Sequence, residues 1–188
     1  MTDLLRLYDL AADEFGRRVH AVPADGWRNP TPCTEWTVRD LVNHLVVEQL
    51  WVPHLMAGQT VEEVGDSLDG DRLGPDPAGA WDRAIGAARA AFGEPGALDR
   101  TVNLSYGPTP ASDYLRQMTD DLAVHAWDLA RGIGADDTVD TELVHAVYED
   151  ALPQADGLAQ SGLFAPRVEV PDDADEQTKL LGLFGRRR

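Results

Sequence analysis

With 188 residues and 43% hydrophobic side chains, the chain can bury a core of its own and is short enough to form one domain. Its 16 basic against 33 acidic side chains leave a net charge of −17, which opposes nucleic acid and anionic lipid, partners that Lys and Arg must neutralise. The single cysteine, Cys33, excludes an intramolecular disulfide, and no signal-peptide pattern or membrane-spanning apolar run is present, so a reducing cytoplasm is the expected location.

Helical periodicity runs through most of the sequence. Leu4, Leu7, Tyr8, Ala11, Phe15 and Val19 recur every three or four residues and predict a first helix over Thr2 to His20. The stretch "AVPADGWRNPTPC", with three prolines and a glycine, interrupts it as a loop. A second helix is expected from Thr37, with Asp40 at the capping-box position, to about Ala57. It presents Leu41, His44, Leu45, Glu48, Val52 and Leu55 along one side, and Pro53 should kink it or mark its last turn. Gly58 to Gly79 is rich in glycine and acid and reads as a long crossover.

Trp81, Ile85, Ala88 and Phe92 mark a third helix. Val102 and Leu104 alternate with polar residues in a short extended piece, and a turn is expected at Tyr106-Gly107-Pro108. The fourth helix, Ala111 to Gly132, carries Leu115, Met118, Leu122, His125 and Leu129 inward and should end on Gly132, with Arg131 suiting that end. A fifth, shorter helix covers Thr141 to Leu152, and the tail adds an extended stretch and one short helical turn. The expected architecture is all-α: a four-helix bundle at about 2–133 with a long crossover, followed by a helix and tail at about 134–188. All of it forms a single domain over 1–188.

Three polar groups fall on the inner faces. Asp121 and His125 lie one turn apart, roughly 5–6 Å between Cβ atoms, close enough to converge on one ion. His44 on the second helix offers a third ligand, and two imidazoles with one carboxylate would leave positions open for water or substrate. Spacing alone leaves a second reading open. A histidine on an apolar stripe is ordinarily bonded to a backbone carbonyl, and Asp121 could pair with His44 or His125 without any metal.

Glu48, one turn beyond His44, is the candidate catalytic base or ligand-orienting residue, with a solvent-facing position as its alternative. Asp128 is expected to pair with Arg131 at i+3. Cys33 precedes a helix, where a thiol can be activated, but "NPTPC" offers it no base and no cation beyond Arg28 and Arg39. It is expected to be packed and inert. His20, His54 and His145 read as surface or boundary residues, and the five tryptophans as core and loop anchors.

The segments "TPCTEWTVRDLVNHLVVEQLW" and "DLAVHAWDLARGIG" resemble the mycothiol-dependent maleylpyruvate isomerase N-terminal family, part of the wider DinB-like superfamily. The ending "DDADEQTKLLGLFGR" is similar to that of a compact branch described as metal-binding proteins. The resemblance implies an up-down-down-up four-helix bundle with a divalent metal at one end, most often zinc, with nickel or iron as alternatives. It assigns the ligands to His44, Asp121 and His125. It further implies a thiol-dependent transferase or isomerase in which the metal activates a small thiol such as mycothiol toward a small electrophile. A non-catalytic metal-binding or ligand-sensing module is the alternative. Asp121 stands where the isomerase pattern has Glu and many DinB-like proteins have His, and the chain has no room for the isomerase's large C-terminal domain.

Overall fold

A computed structural model of the chain describes residues 4–154 and 165–188. The expected helical residues Thr2 and Asp3 lie outside the described residues. The first helix, α1, spans Leu4–His20, and α2 spans Val38–Met56. A short α3, Val61–Val64, lies in the crossover, and α4 is Pro77–Phe92. Strands β1 (Thr101–Leu104) and β2 (Gly107–Pro110) pair antiparallel, and α5 follows as Ala111–Ile133. Helices α6 (Thr141–Ala151) and α7 (Glu176–Leu183) follow.

Side-chain contacts give the helix directions. Near its start α1 sets Tyr8 on Gln49, late in α2, and on Phe92 at the end of α4, with 5.3 Å between the two ring centroids. Near its end Phe15 packs on Trp81, early in α4, at 4.9 Å, and His20 meets Asp82 at 2.9 Å. Helix α1 is therefore antiparallel to α2 and α4, which run parallel to each other. At the far side Tyr114, early in α5, lies 5.6 Å from Phe92. Gly132, late in α5, abuts Val38 at the start of α2. The order is up-down-down-up. Two consecutive parallel helices cannot be joined by a tight turn, so residues 57–76 must run back along the bundle.

That crossover is fastened along its way. Thr60 and Glu63 form a capping box for α3. Asn43 donates from Nδ2 to the Gly70 carbonyl at 3.0 Å and accepts from the Arg72 amide at 2.7 Å. Arg39 donates to Asp71 at 2.7 Å and to the Gly74 carbonyl at 2.9 Å.

The apolar stripes are buried as their periodicity requires: Ala11, Phe15, Leu41, Leu45, Val52, Leu115, Leu122 and Leu129 lose almost all contact with solvent. Leu143 and Val147 of α6, with Leu180, Leu181 and Phe184 of the tail, join the same core. The tail holds two turns of helix, capped by Asp175, whose carboxylate accepts from the Thr178 amide at 2.7 Å. One expected turn of helix is thus an underestimate. Among the described residues no helix is long and apolar enough to cross a membrane.

Two boundaries move. The hairpin pairs Leu104 with Gly107, so its turn is Ser105-Tyr106, and Gly107 (φ 125°) opens the return strand. Helix α5 continues past Gly132 to cap on Gly134, in the left-handed region at φ 67°. Gly132 serves packing instead: a Cβ there would stand 2.9 Å from Val38 Cγ2 and 3.1 Å from Thr31 Cγ2. Its missing side chain lets α5 approach α2 closely.

Candidate metal centre

The loop at residues 29–37 and the start of α2 are built as one unit. Val38 donates its amide to the Asn29 carbonyl at 2.9 Å, and Thr31 donates its own to that of Trp36 at 3.1 Å. Thr37 and Asp40 close the capping box that starts α2: the Thr37 amide donates to the Asp40 carboxylate at 2.9 Å, and the Asp40 amide to the Thr37 hydroxyl at 3.3 Å. Glu35 adopts φ 71°, a conformation that costs a side-chain-bearing residue about 1–2 kcal/mol. The strained turn carries Cys33 and Trp36 over the inner ends of α2 and α5.

His44 leaves α2 two turns after its cap, and Asp121 and His125 leave α5 one turn apart. His44 Nε2 lies 3.4 Å from Asp121 Oδ2, and His125 Nε2 lies 3.3 Å from Asp121 Oδ1. The two rings stand 5.5 Å apart, nearly perpendicular at 79°. One ligand atom from each of the three residues falls within 4.8 Å of the others. Trp36 forms a wall beside both imidazoles, with centroids 4.9 Å from His44 and 6.1 Å from His125. It anchors a loop, as expected, and also borders this cluster.

These spacings fit a cation. Charge-assisted N–H···O bonds run to about 2.7–2.9 Å, shorter than either contact. Two bonds of ~2.0–2.2 Å meeting at a tetrahedral angle set their donor atoms ~3.3–3.6 Å apart. Both contacts fall in that interval, and both use the Nε2 atoms. With three donors, a tetrahedral ion keeps one position open.

The electrostatics are those of a tightly coupled trio. Burial opposes charge on Asp121, but the imidazoles of His125 and His44 outweigh it and hold the carboxyl far below the usual range. Burial likewise opposes charge on His125, and the Asp121 carboxylate outweighs it, raising the imidazole well above its ordinary value. Glu48, half-buried, has Oε1 3.9 Å from His44 Nδ1. Burial first, then the Asp121 charge, pushes its carboxyl up.

Behind His125 lies a second layer that the sequence reading assigned differently. Asp128 does not pair with Arg131. Its Oδ2 accepts from His125 Nδ1 at 2.9 Å, and Arg186 grips the carboxylate from Nη2 at 2.8 Å and Nε at 3.3 Å. Burial opposes the Asp128 charge, yet His125 and Arg186 together hold its carboxyl below the ordinary range. Arg131 bonds Asp137 at 3.2 Å instead and sits over the Trp127 ring. Position i+3 on α5 turns Asp128 into the core, whereas Arg131 is exposed.

Cys33 is not isolated either. Its Sγ lies 3.2 Å from Asp128 Oδ2, 3.7 Å from His125 Nδ1 and 3.3 Å from Arg186 Nη2. The base and the cation come from α5 and the tail, far along the chain. Cys33, His125 and Asp128 would form a second ligand set, but the Arg186 guanidinium already fills the cation's role there. Its neighbours Arg187 and Arg188 face solvent, whereas Arg186 is buried. His20 and His145 are exposed on Asp82 and Glu176, and His54 is half-buried on Gln59 at 2.7 Å, as boundary residues should be.

The mycothiol maleylpyruvate isomerase N-terminal domain model matches residues 8–130, from within α1 to within the last turn of α5. The chain belongs to that family. As a member it is 33% identical over 188 residues to Uncharacterized protein MT0763 of Mycobacterium tuberculosis (strain CDC 1551 / Oshkosh), with 98% of each chain covered. Uncharacterized protein Rv0738 of Mycobacterium tuberculosis (strain ATCC 25618 / H37Rv) gives the same figures. The fold is similar to the crystal structure of the mycothiol-dependent maleylpyruvate isomerase, at TM-score 0.61 and 18% identity. A mutant of that isomerase gives TM-score 0.63 and 17% identity. Each likeness covers 83% of this chain and 68% of the other.

Proposed function

We propose that this family member binds a divalent metal, zinc foremost, through His44, Asp121 and His125, and acts as a thiol-dependent transferase or isomerase with mycothiol or a similar small thiol. One observation carries the reading: the Nε2 atoms of His44 and His125 stand 3.4 and 3.3 Å from the Asp121 carboxylate, a separation that donors sharing a small cation take. The family description and the solved isomerase support the thiol.

When bound, the metal supplies Lewis acidity that lowers the pKa of a thiol joining it. The chain's own groups do the rest. Asp128 holds His125 from Nδ1, leaving Nε2 directed at Asp121. Trp36 shields both rings from water on one side. Glu48, its carboxyl pushed up by burial and by Asp121, is suited to take and return a proton beside the thiol. An electrophile then receives the sulfur, or is released rearranged.

The test uses protein purified without an affinity tag. Metal analysis is expected to find about one divalent ion per chain. Assay with mycothiol and maleylpyruvate, then with other small electrophiles, is expected to show thiol-dependent turnover that chelation abolishes. A chain that binds no divalent ion removes the metal reading. A loaded chain with no thiol-dependent turnover on any electrophile leaves metal binding and removes the enzyme.

A further inference from the structure

Arg186 comes from the last turn of a tail that is otherwise peripheral, yet it is 9% exposed and bonded to the carboxylate behind the metal centre. Its placement follows from the residues before it. Phe184 is fully buried and anchors the end of α7. Gly185 then turns through φ 77°, where an added Cβ would stand 2.5 Å from the Ala165 carbonyl oxygen. The Arg186 amide donates to the Leu181 carbonyl at 2.8 Å, closing the helix end and directing the side chain into the bundle. Arg186 Nη1 donates to the Phe184 carbonyl at 2.7 Å, which leaves Nε and Nη2 for Asp128.

Asp128 is wholly buried. A carboxylate there needs a cation, and the fork of Arg186 provides one with fixed geometry. Gripped in this way Asp128 only accepts, so the His125 nitrogen facing it must carry the proton. In the neutral ring that a cation would meet, Nε2 is then the nitrogen that carries the lone pair. We propose that Arg186 is a positioning residue for the metal centre, through which the C-terminal tail holds His125 in its ligating orientation. The metal part of this inference rests on the function proposed above; the positioning part does not.

Coupling of this kind is reciprocal: whatever tail docking contributes to metal affinity, the metal returns to tail docking. The centre is thus complete only when the segment that carries Arg186 is docked.

The experiment compares wild type, Arg186→Met, Arg186→Lys and, as a surface control, Arg187→Met. In metal-free protein, proton–nitrogen NMR of the imidazoles reads the His125 Nδ1–H, assigned by its loss in His125→Gln. Wild type and R187M are expected to show a slowly exchanging Nδ1 proton; R186M is expected to lose it, and R186K to retain it in part. Zinc titration is expected to give a dissociation constant about 10–100-fold weaker for R186M, with R187M unchanged. A folded R186M that keeps both the Nδ1 proton and wild-type zinc affinity overturns the inference. If R186M does not fold, R186K decides: wild-type behaviour on both readouts overturns it. If wild type binds no zinc, the metal reading fails and the Nδ1–H comparison alone judges the role of Arg186.

Discussion

The His125 ring donates from Nδ1 to Asp128 Oδ2 at 2.9 Å, an i+3 contact within a single helix. It places the only fully buried aspartate of the described core directly behind one of the three proposed metal donors. Ligating histidines characteristically carry such a partner on the opposite nitrogen, where it sets the tautomer and raises basicity. Everything on the far side of the ring follows from that contact.

Asp121 supplies the only negative donor of the trio. Asp121→Asn is expected to weaken zinc binding by at least about 100-fold, and His44→Ala or His125→Ala to do the same, read by competition with a chromogenic chelator. Asp121→Glu keeps the charge and should retain more affinity than Asp121→Asn. Equal zinc affinity in all four variants would show that the ion lies elsewhere.

Asp128→Ala leaves the Arg186 guanidinium buried without its counter-charge. Removing one partner of a buried pair typically costs ~3–5 kcal/mol. Urea denaturation should show a loss of that order, larger than that of Arg131→Ala, whose partner Asp137 lies nearer solvent. Comparable losses at the two positions would contradict the buried pairing.

Gly132 sets the distance between α2 and α5, and so the reach from His44 to Asp121. Gly132→Ala brings a methyl to 2.9 Å from Val38 Cγ2, and overpacking of this kind costs ~1–3 kcal/mol. The expected result is a lower urea midpoint with an unchanged slope. A neutral or stabilising substitution would mean that the helices separate freely.

His145 and Glu176 join α6 to α7 at 2.9 Å, and this bond raises the imidazole above its ordinary value. A raised value contributes stability that is complete below about pH 6.5 and lost as pH rises through the folded-state value. The pair is exposed, so the effect is small. The melting-temperature difference between wild type and His145→Gln should therefore be positive near pH 5.5 and shrink toward pH 8.5. A difference that grows with pH would reverse the sign argued here.

Much of this molecule is readable along the chain. Apolar positions at three- and four-residue intervals locate four bundle helices, because a helix must bury one stripe whatever it packs against. The same period sets His44, Asp121 and His125 on inner stripes, and Thr37 with Asp40 marks the start of α2 through a contact only three residues long. These are local relations, carried by the geometry of one helix.

Cys33, Asp128 and Arg186 obey no such rule. Their contacts join positions 58, 95 and 153 residues apart. No periodicity distinguishes Arg186 from the two arginines beside it. Gly132 is similar: as a helix-ending glycine it fits the local pattern, and only the approach of Val38 from another helix shows that its lack of a side chain is used for packing. Burial selects such partners, since a charge withdrawn from water must find its counterpart wherever the folded chain has brought one near.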